Sequence, residues 1–258
     1  MRRGTHWSSV VITLVAALLV SACGSSSKSS STSSSSTSSS SSSSGRTAEE
    51  LAADQQTAQT IVLKIDDFPS GWKAKARPPS TADTPEAKAA TKKFADCLGV
   101  DPALVDDNDP TEAKARSDKF TNGDQEVDST ATVPANTDHK DEILGAFRKS
   151  EAVGCFEDFI NEAFKSSLSS SSLPPGTQIG KISVTSGDIT GVHGEVINFQ
   201  ATIPITAQGQ SITFFSDTLF VLKGRATFDF TFDNVNAPFP ADLAAQLANT
   251  SIDRAPDS

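Results

Sequence analysis

Hydrophobic residues occupy every second position through two long runs in the last third of this 258-residue chain. The residues are Ile197, Phe199, Ala201, Ile203 and Ile205 in the first run, and Ala226, Phe228, Phe230 and Phe232 in the second. A period of two is typical of strands that bury one face. The connections between neighbouring runs are much shorter than a parallel crossover requires, so the strands must be antiparallel neighbours. The pattern predicts a C-terminal antiparallel meander.

A third apolar segment, residues 211–223, lies between these two runs. Its apolar residues change from even to odd positions between Phe214 and Leu219, which predicts a β-bulge around Ser216–Asp217. The remaining elements expected in this half are a tight hairpin at Lys223–Gly224, a strand over Ser183–Thr185 and an amphipathic helix over Pro240–Asn249.

Helix signals dominate the first half of the folded part. Thr47 followed by Glu50 forms a capping box, which predicts a helix that runs to about Thr60. Apolar residues at spacings of three and four predict two longer helices, over Thr84–Leu98 and Asp138–Phe164. Ile61–Ile65 is expected to be a strand or an extended entry to the next turn. Two strands are expected within Ala113–Val133, which turn at Asn122–Asp124. The sum is an α+β domain, in which an antiparallel sheet buries one face under two long helices.

Cys97 and Cys155 each fall on the apolar stripe of a predicted helix, one in each long helix. In an oxidising compartment, a disulfide between them is the simplest interpretation. Two buried free thiols are the alternative. A metal site is a weaker interpretation, because the only histidines beyond the N-terminal segment, His139 and His193, lack the paired spacing that zinc ligation uses.

The N-terminal segment has the features of an export signal. Arg2 and Arg3 precede an apolar run, Val10–Val20, that is too short to cross about 30 Å of hydrocarbon as a helix. We therefore expect residues 1–22 to be a signal peptide. The run ends in Val20-Ser21-Ala22-Cys23, which resembles the lipobox of bacterial lipoproteins. That resemblance implies cleavage before Cys23 and attachment of acyl chains such as palmitate at this cysteine; an ordinary cleavage site is the alternative.

The segment after Cys23 is almost entirely serine. Seventeen of the 21 residues from Gly24 to Ser44 are Ser, so the segment has no apolar face to bury. We expect residues 23–45 to be a lipidated, disordered tether and residues 46–258 to be a single folded domain. As a flexible coil, the tether would span roughly 25 Å between its ends.

The charge balance excludes some partners. The chain carries 22 Lys and Arg against 32 Asp and Glu, a net charge of −10. Removal of residues 1–22 takes away Arg2 and Arg3, which makes the net charge −12. A chain this acidic, with no cluster of basic residues, lacks the face that neutralises phosphates, so nucleic acid is not an expected partner. Contact with the membrane is expected through the lipid at Cys23 alone.

The sequence contains none of the common catalytic and cofactor motifs. The sequence has no G-x-S-x-G elbow, H-E-x-x-H motif, P-loop or dinucleotide-binding glycine pattern. No cofactor, metal or enzymatic activity is therefore expected. The strongest alternative is a hydrolase of wall polymers that uses the carboxylates of Glu195 and Asp217, which two-carboxylate chemistry would require to lie within about 10 Å of each other.

Three residues are candidates for the entrance of a ligand-binding cleft. They are Trp72 after a Pro-Gly turn, His193 in a glycine-flanked loop, and Phe215 beside the expected bulge. Two of them have a plainer interpretation: Trp72 as a core aromatic and His193 as an exposed turn residue.

Several of these features together resemble a known group of proteins. The lipobox, the serine tether, Ile65-Asp66-Asp67-Phe68-Pro69-Ser70-Gly71-Trp72, Cys97-Leu98-Gly99 and the closing meander look like actinobacterial secreted lipoproteins of uncharacterised role. The arrangement is also similar to mycobacterial sensor-like extracellular domains and to Mog1/PsbP-like lipoproteins. The resemblance implies an extracytoplasmic, lipid-anchored, non-catalytic module that binds a small amphipathic ligand or an envelope protein. A structural spacer is the remaining alternative.

Overall fold

The computed structural model describes residues 46–77, 85–105, 112–135, 138–169, 176–187 and 189–256. The predicted signal peptide, Cys23 and the serine tether lie outside these ranges. The strands are β1 (Lys73–Lys75), β2 (Ala113–Arg116), β3 (Lys119–Asn122), β4 (Gln125–Val133), β5 (Gln178–Ile179), β6 (Ser183–Gly187), β7 (Glu195–Ala207), β8 (Gln210–Lys223) and β9 (Ala226–Val235). They form one antiparallel sheet in the order β1-β3-β4-β9-β8-β7-β5, with β2 beside β4 and β6 beside β7.

Five α-helices pack against this sheet within the described ranges. They are α1 (Ala48–Ile61), α2 (Pro85–Leu98), α3 (Asp138–Phe147), α4 (Ala152–Ser169) and α5 (Ala241–Ile252). The Thr47 and Glu50 capping box is present at the start of α1, as predicted. None of the helices in these ranges combines the length and the apolar composition needed to cross a bilayer. The α+β class and the meander of β7, β8 and β9 are confirmed.

The sheet is buried on both faces. One face, the α1/α5 face, carries Phe228, Phe230 and Phe232 of β9, which pack under α1 and α5. The opposite face, the disulfide face, carries Phe199 and Ile203 of β7 under α2, α3 and α4. The sequence predicted only one helical layer. The short C-terminal α5 and the N-terminal α1 together supply the second.

The predicted bridge between Cys97 and Cys155 is present, and it joins α2 to α4 over the disulfide face. The two Cα atoms are 5.7 Å apart, within the usual range for a disulfide. Cys155 is buried, as its position on the apolar stripe predicts. Cys97 is exposed, so its predicted position on a buried face is wrong. The bridge therefore lies at the outer edge of the layer, where solvent reaches one of its two residues.

The predicted bulge at Ser216–Asp217 is wrong. β8 pairs without interruption with β7 on one side and with β9 on the other, through both of these residues. The apolar positions change parity because the buried face changes along the strand. Phe214 packs on the disulfide face, whereas Leu219 packs on the α1/α5 face. Two cores on opposite sides of a regular strand produce the same sequence pattern as a bulge.

The single helix predicted over Asp138–Phe164 is interrupted, because α3 ends at Phe147 and α4 begins at Ala152. The polar residues Arg148–Glu151 between them form a turn. The break lets Phe147 and Phe156 approach the same strand residue from two helices. Their ring centroids lie 5.8 and 4.8 Å from that of Phe199.

Ile61–Ile65 does not form a strand. α1 continues to Ile61, Val62 and Lys64 have extended backbone conformations, and a 3-10 turn spans Ile65–Asp67. The following turn is fastened to the end of α5. Arg254 donates to both carboxylate oxygens of Asp67 at 2.9 Å and to the carbonyl oxygen of Val62 at 2.8 Å. Asp67 thus has a structural role: its ion pair with Arg254 joins the chain after α1 to the end of the C-terminal helix.

Candidate functional site

Trp72 lies in the core of the α1/α5 face and is 8% exposed. Its ring centroid is 4.8 Å from that of Phe68 and 6.4 Å from that of Phe239. Phe239 in turn lies 5.2 Å from Phe232 of β9. The indole therefore supports an aromatic layer that extends to the centre of the sheet. Its role in ligand binding stays a prediction.

His193 lies in the loop 189–194, which is fastened to α5. Its imidazole Nδ1 is 2.8 Å from a carboxylate oxygen of Asp253, and both side chains are 58% exposed. The Asn249 side chain accepts from the backbone N–H of His193 at 2.8 Å and donates to the carbonyl oxygen of Gly191 at 2.7 Å. Gly194 ends the loop at φ +93°, where an added Cβ would lie 2.5 Å from the carbonyl oxygen of Leu222. The loop is held over the α1/α5 face.

Phe215 lies on that same face, at the part of β8 nearer to the β7–β8 turn. It pairs with Thr202 of β7 and Asn234 of β9 and is half-buried. Side chains two residues apart on a strand share a face, so Phe215 and Asp217 point to the same side. The three candidates from the sequence, Trp72, His193 and Phe215, all belong to the α1/α5 side of the molecule. No direct contact joins them among the interactions of the described residues.

A polar cluster that the sequence did not predict lies beside Phe215. We call Asn198, Gln200 and Asp217 the amide–acid cluster. Gln200 pairs directly with Asp217 across β7 and β8, and Asn198 lies two residues from Gln200 on the same face. Asn198 is 2% exposed, yet neither its amide nitrogen nor its amide oxygen has a hydrogen-bond partner among the residues that the structure describes. Buried amides are normally paired, so the unpaired side chain of Asn198 needs an explanation.

The opposite edge of the cluster is closed by Gly187 of β6, which pairs with Asn198. A Cβ built on Gly187 would lie 2.8 Å from Gln200 Oε1 and 3.2 Å from Asn198 Nδ2. A larger residue at position 187 would require the side chain of Gln200 to move. The exposed side chain of Gln200 therefore lies over Gly187 and close to the buried amide of Asn198.

Burial changes the acidity of Asp217. The residue is 7% exposed, and loss of solvent raises the pKa of its carboxyl group to about 6, although a hydrogen bond from Gln200 acts in the opposite direction. The charged form is costly in a site that lacks water. Near neutral pH, small changes of pH or surroundings therefore change the protonation state of Asp217.

We expect Asp217→Asn to stabilise the fold at pH 8 and to have little effect at pH 4. The folded protein binds the Asp217 proton more tightly than the unfolded chain does, so Asp217 destabilises the fold least at low pH. The penalty grows as the pH rises from about 4 to above 6. Removing the ionisable group removes this penalty, which we expect to be about 3 kcal/mol. Urea denaturation at several pH values measures it.

Asp118→Asn is the matched control for this prediction, since Asp118 is an exposed aspartate in the connection between β2 and β3, away from the cluster. We expect the control to keep the pH dependence of the unmodified protein. An Asp217→Asn variant whose unfolding free energy changes with pH as in the unmodified protein would contradict the role assigned to burial.

Glu195 and Asp217 are not brought together. Glu195 pairs with Leu222, five residues along β8 from Asp217, which separates the two positions by about 16 Å along the strand. Glu195 shares its face of β7 with Ile197, on the disulfide face, whereas Asp217 is on the α1/α5 face. The Glu195 carboxylate is 60% exposed and bonds to Arg148 at 2.8 Å. The pair proposed for hydrolysis thus lacks the required geometry.

A second group of polar residues lies on the other side of the sheet. We call Arg77, Lys119, Glu126, Asp128 and Asp233 the buried charge cluster. Lys119 forms an ion pair with Glu126, and Arg77 forms one with Asp128. Asp233 pairs with Glu126 across β9 and β4, and within the described ranges its Oδ1 has no hydrogen-bond partner. Burial, followed by the nearby carboxylates of Glu126 and Asp128, raises the pKa of Asp233 well above its usual value, while a Ser216 hydrogen bond and Lys119 lower it.

Protonation of Asp233 leaves the cluster with two cations and two carboxylates, which is a balanced set. The arrangement is therefore consistent with a neutral structural network inside the sheet. Across the described ranges, no three His, Cys, Asp or Glu residues are placed to hold a metal ion.

Sequence reasoning missed Asn198 and Gln200 because polar residues that alternate with apolar ones along a strand usually face solvent. The sequence feature that could have identified them is the presence of two amides and an acid on strands whose other face is strongly apolar.

Comparisons of this chain with protein-family models, with curated proteins and with solved structures found no match.

Proposed function

We propose that this protein is a lipoprotein of the bacterial cell envelope, anchored through Cys23, whose folded domain is a non-catalytic, sensor-like module that binds a ligand. The amide–acid cluster carries the proposal. It combines an unpaired buried amide with a desolvated acid on a sheet face that rigid strands hold in place. Such a site has hydrogen-bonding capacity that the protein itself does not use, which is the property of a binding site rather than of a packed core.

The extracytoplasmic location is supported by the sequence features of residues 1–45 and by the disulfide. A bridge with one exposed cysteine is typical of an oxidising compartment. A serine tether between the lipid and the domain would allow the domain to reach ligands away from the bilayer surface. The domain then acts as a tethered receptor at the envelope.

Native mass spectrometry of the full-length protein, extracted from its own membranes in mild detergent, tests the binding function. We expect a fraction of the protein to carry a non-covalent ligand, seen as added mass that is lost on unfolding. Uniformly empty protein that converts wall fragments to products would overturn the proposal in favour of an enzyme.

The anchor has a separate test. We expect Cys23→Ala to move the protein from the membrane fraction to an uncleaved or soluble form, because no acyl chain can be attached. Ser25→Ala, two residues away in the serine tract, is the control and should leave fractionation unchanged. Unchanged fractionation and mass of the Cys23→Ala protein would show that the lipobox interpretation is wrong.

A further inference from the structure

The amide–acid cluster is more specific than a general binding site, and its chemistry limits what it can bind. Asn198 offers one donor group and one acceptor with no partner for either. Gln200, directly beside it, adds a second carboxamide. Asp217 adds a carboxyl group that accepts hydrogen bonds when ionised and also donates one when protonated. Each of the three side chains can therefore serve a partner group that both donates and accepts.

Hydroxyl groups have this dual character, whereas phosphates and carboxylates only accept and ammonium groups only donate. The surroundings are also uncharged apart from Asp217. The buried apolar residues Leu219 and Phe232 pair with Asn198 and Asp217 on this face. The other neighbouring positions on it are Ser183, Thr185 and Gly187 on β6, Thr202 and Pro204 on β7, Thr213 and Phe215 on β8, and Asn234 on β9. Within the described part of the chain, these positions therefore offer no cation to an anionic ligand.

Phe215 provides the apolar part of the same surface. It lies two residues from Asp217 on the same face of β8 and is half-buried, so part of its ring remains accessible. Sugar rings combine hydroxyl groups at their edges with an apolar face of C–H groups. An aromatic ring beside paired amides and an acid matches both parts of such a ligand.

A peptide is less suited to this place. Peptides that add to sheets bond to the free backbone of an edge strand. The cluster instead lies on a face of β7 and β8, whose backbones are paired on both sides through this region. Recognition here has to proceed through side chains.

We propose that the amide–acid cluster binds a neutral saccharide, with Asn198 and Asp217 bonding neighbouring hydroxyl groups and Phe215 contacting the apolar face of a sugar ring. The inference rests on the binding function proposed above. In the free protein, the exposed side chain of Gln200 lies between Gly187 and Asp217 and covers the site. Because Gln200 is a single flexible side chain, a sugar displaces it without moving the strands.

The experiment uses the full-length protein in detergent and a panel of neutral pentasaccharides of mannose, arabinose, galactose and glucose, with penta-alanine as the peptide probe. Isothermal titration calorimetry measures affinity for the unmodified protein and for Asn198→Leu. Leucine is close in shape to asparagine and removes both unpaired atoms, so we expect this variant to fold and to be at least as stable as the unmodified protein. We expect one of the saccharides to bind, and Asn198→Leu to weaken that binding at least tenfold.

Gln178→Ala is the matched control, because Gln178 is an exposed amide on β5 of the same sheet, away from the cluster. It should leave saccharide affinity unchanged. Absence of binding for every saccharide at millimolar concentration overturns the inference, as does equal affinity of Asn198→Leu or binding of penta-alanine alone. A co-purified ligand that is not a sugar would leave the binding function standing and remove only this inference.

Discussion

The double variant Cys97→Ala/Cys155→Ala is expected to lose about 4 kcal/mol of unfolding free energy. The bridge closes a loop between residues 58 positions apart, and closing a loop of this length restricts the unfolded chain by that amount in the chain-entropy description. Urea denaturation of the oxidised protein and of the double variant measures the difference. Replacing both cysteines together avoids leaving the buried Cys155 as a free thiol.

Reduction provides the matched control for the disulfide. Because Cys97 is exposed, a soluble phosphine has access to one side of the bridge in the folded protein. We expect the reductant to lower the stability of the unmodified protein and to leave the double variant unchanged. Alkylation of two thiols per molecule in the unfolded, unreduced protein would show that the bridge is absent.

The location of these cysteines illustrates how much of the fold the sequence predicts. Period-two alternation identified β7 and β9, and the Thr47 and Glu50 capping box identified the start of α1, because each of these signals depends on neighbours along the chain. The pairing of Cys97 with Cys155 followed from the small number of cysteines. These features need no knowledge of what lies on the other side of the sheet.

The features that sequence reasoning missed depend on long-range packing. The change of parity in β8 indicated a bulge, because a single strand does not reveal that α1 and α5 cover its second face. For the same reason Asn198 looked like a solvent-facing residue, although it is 2% exposed. Asn198 is paired with Gly187 of β6 and Leu219 of β8, and Gln200 is paired with Asp217 of β8. These neighbours come together only when the strands pair, so the amide–acid cluster could be found only in three dimensions.

Lys119→Met is expected to destabilise the fold by about 3 to 5 kcal/mol, since removing one partner of a buried ion pair leaves the other charge without compensation. Lys119 is 7% exposed and Glu126 is 6% exposed, and the two side chains are bonded to each other. Glu126 would then face Asp233, its cross-strand partner, with no cation between them. Urea denaturation of the variant beside the unmodified protein gives the cost.

The second variant needed is Lys119→Met/Glu126→Leu, which replaces the whole pair with apolar side chains. We expect it to recover most of the lost stability, because apolar replacements of a complete buried pair are often neutral. Lys92→Met is the surface control: Lys92 pairs with Asp96, both side chains are more than half exposed, and the cost should stay below about 1 kcal/mol. If Lys119→Met cost no more than Lys92→Met, the buried charge cluster would not contribute to stability. If the double variant were the less stable of the two buried variants, Glu126 would have a role independent of Lys119.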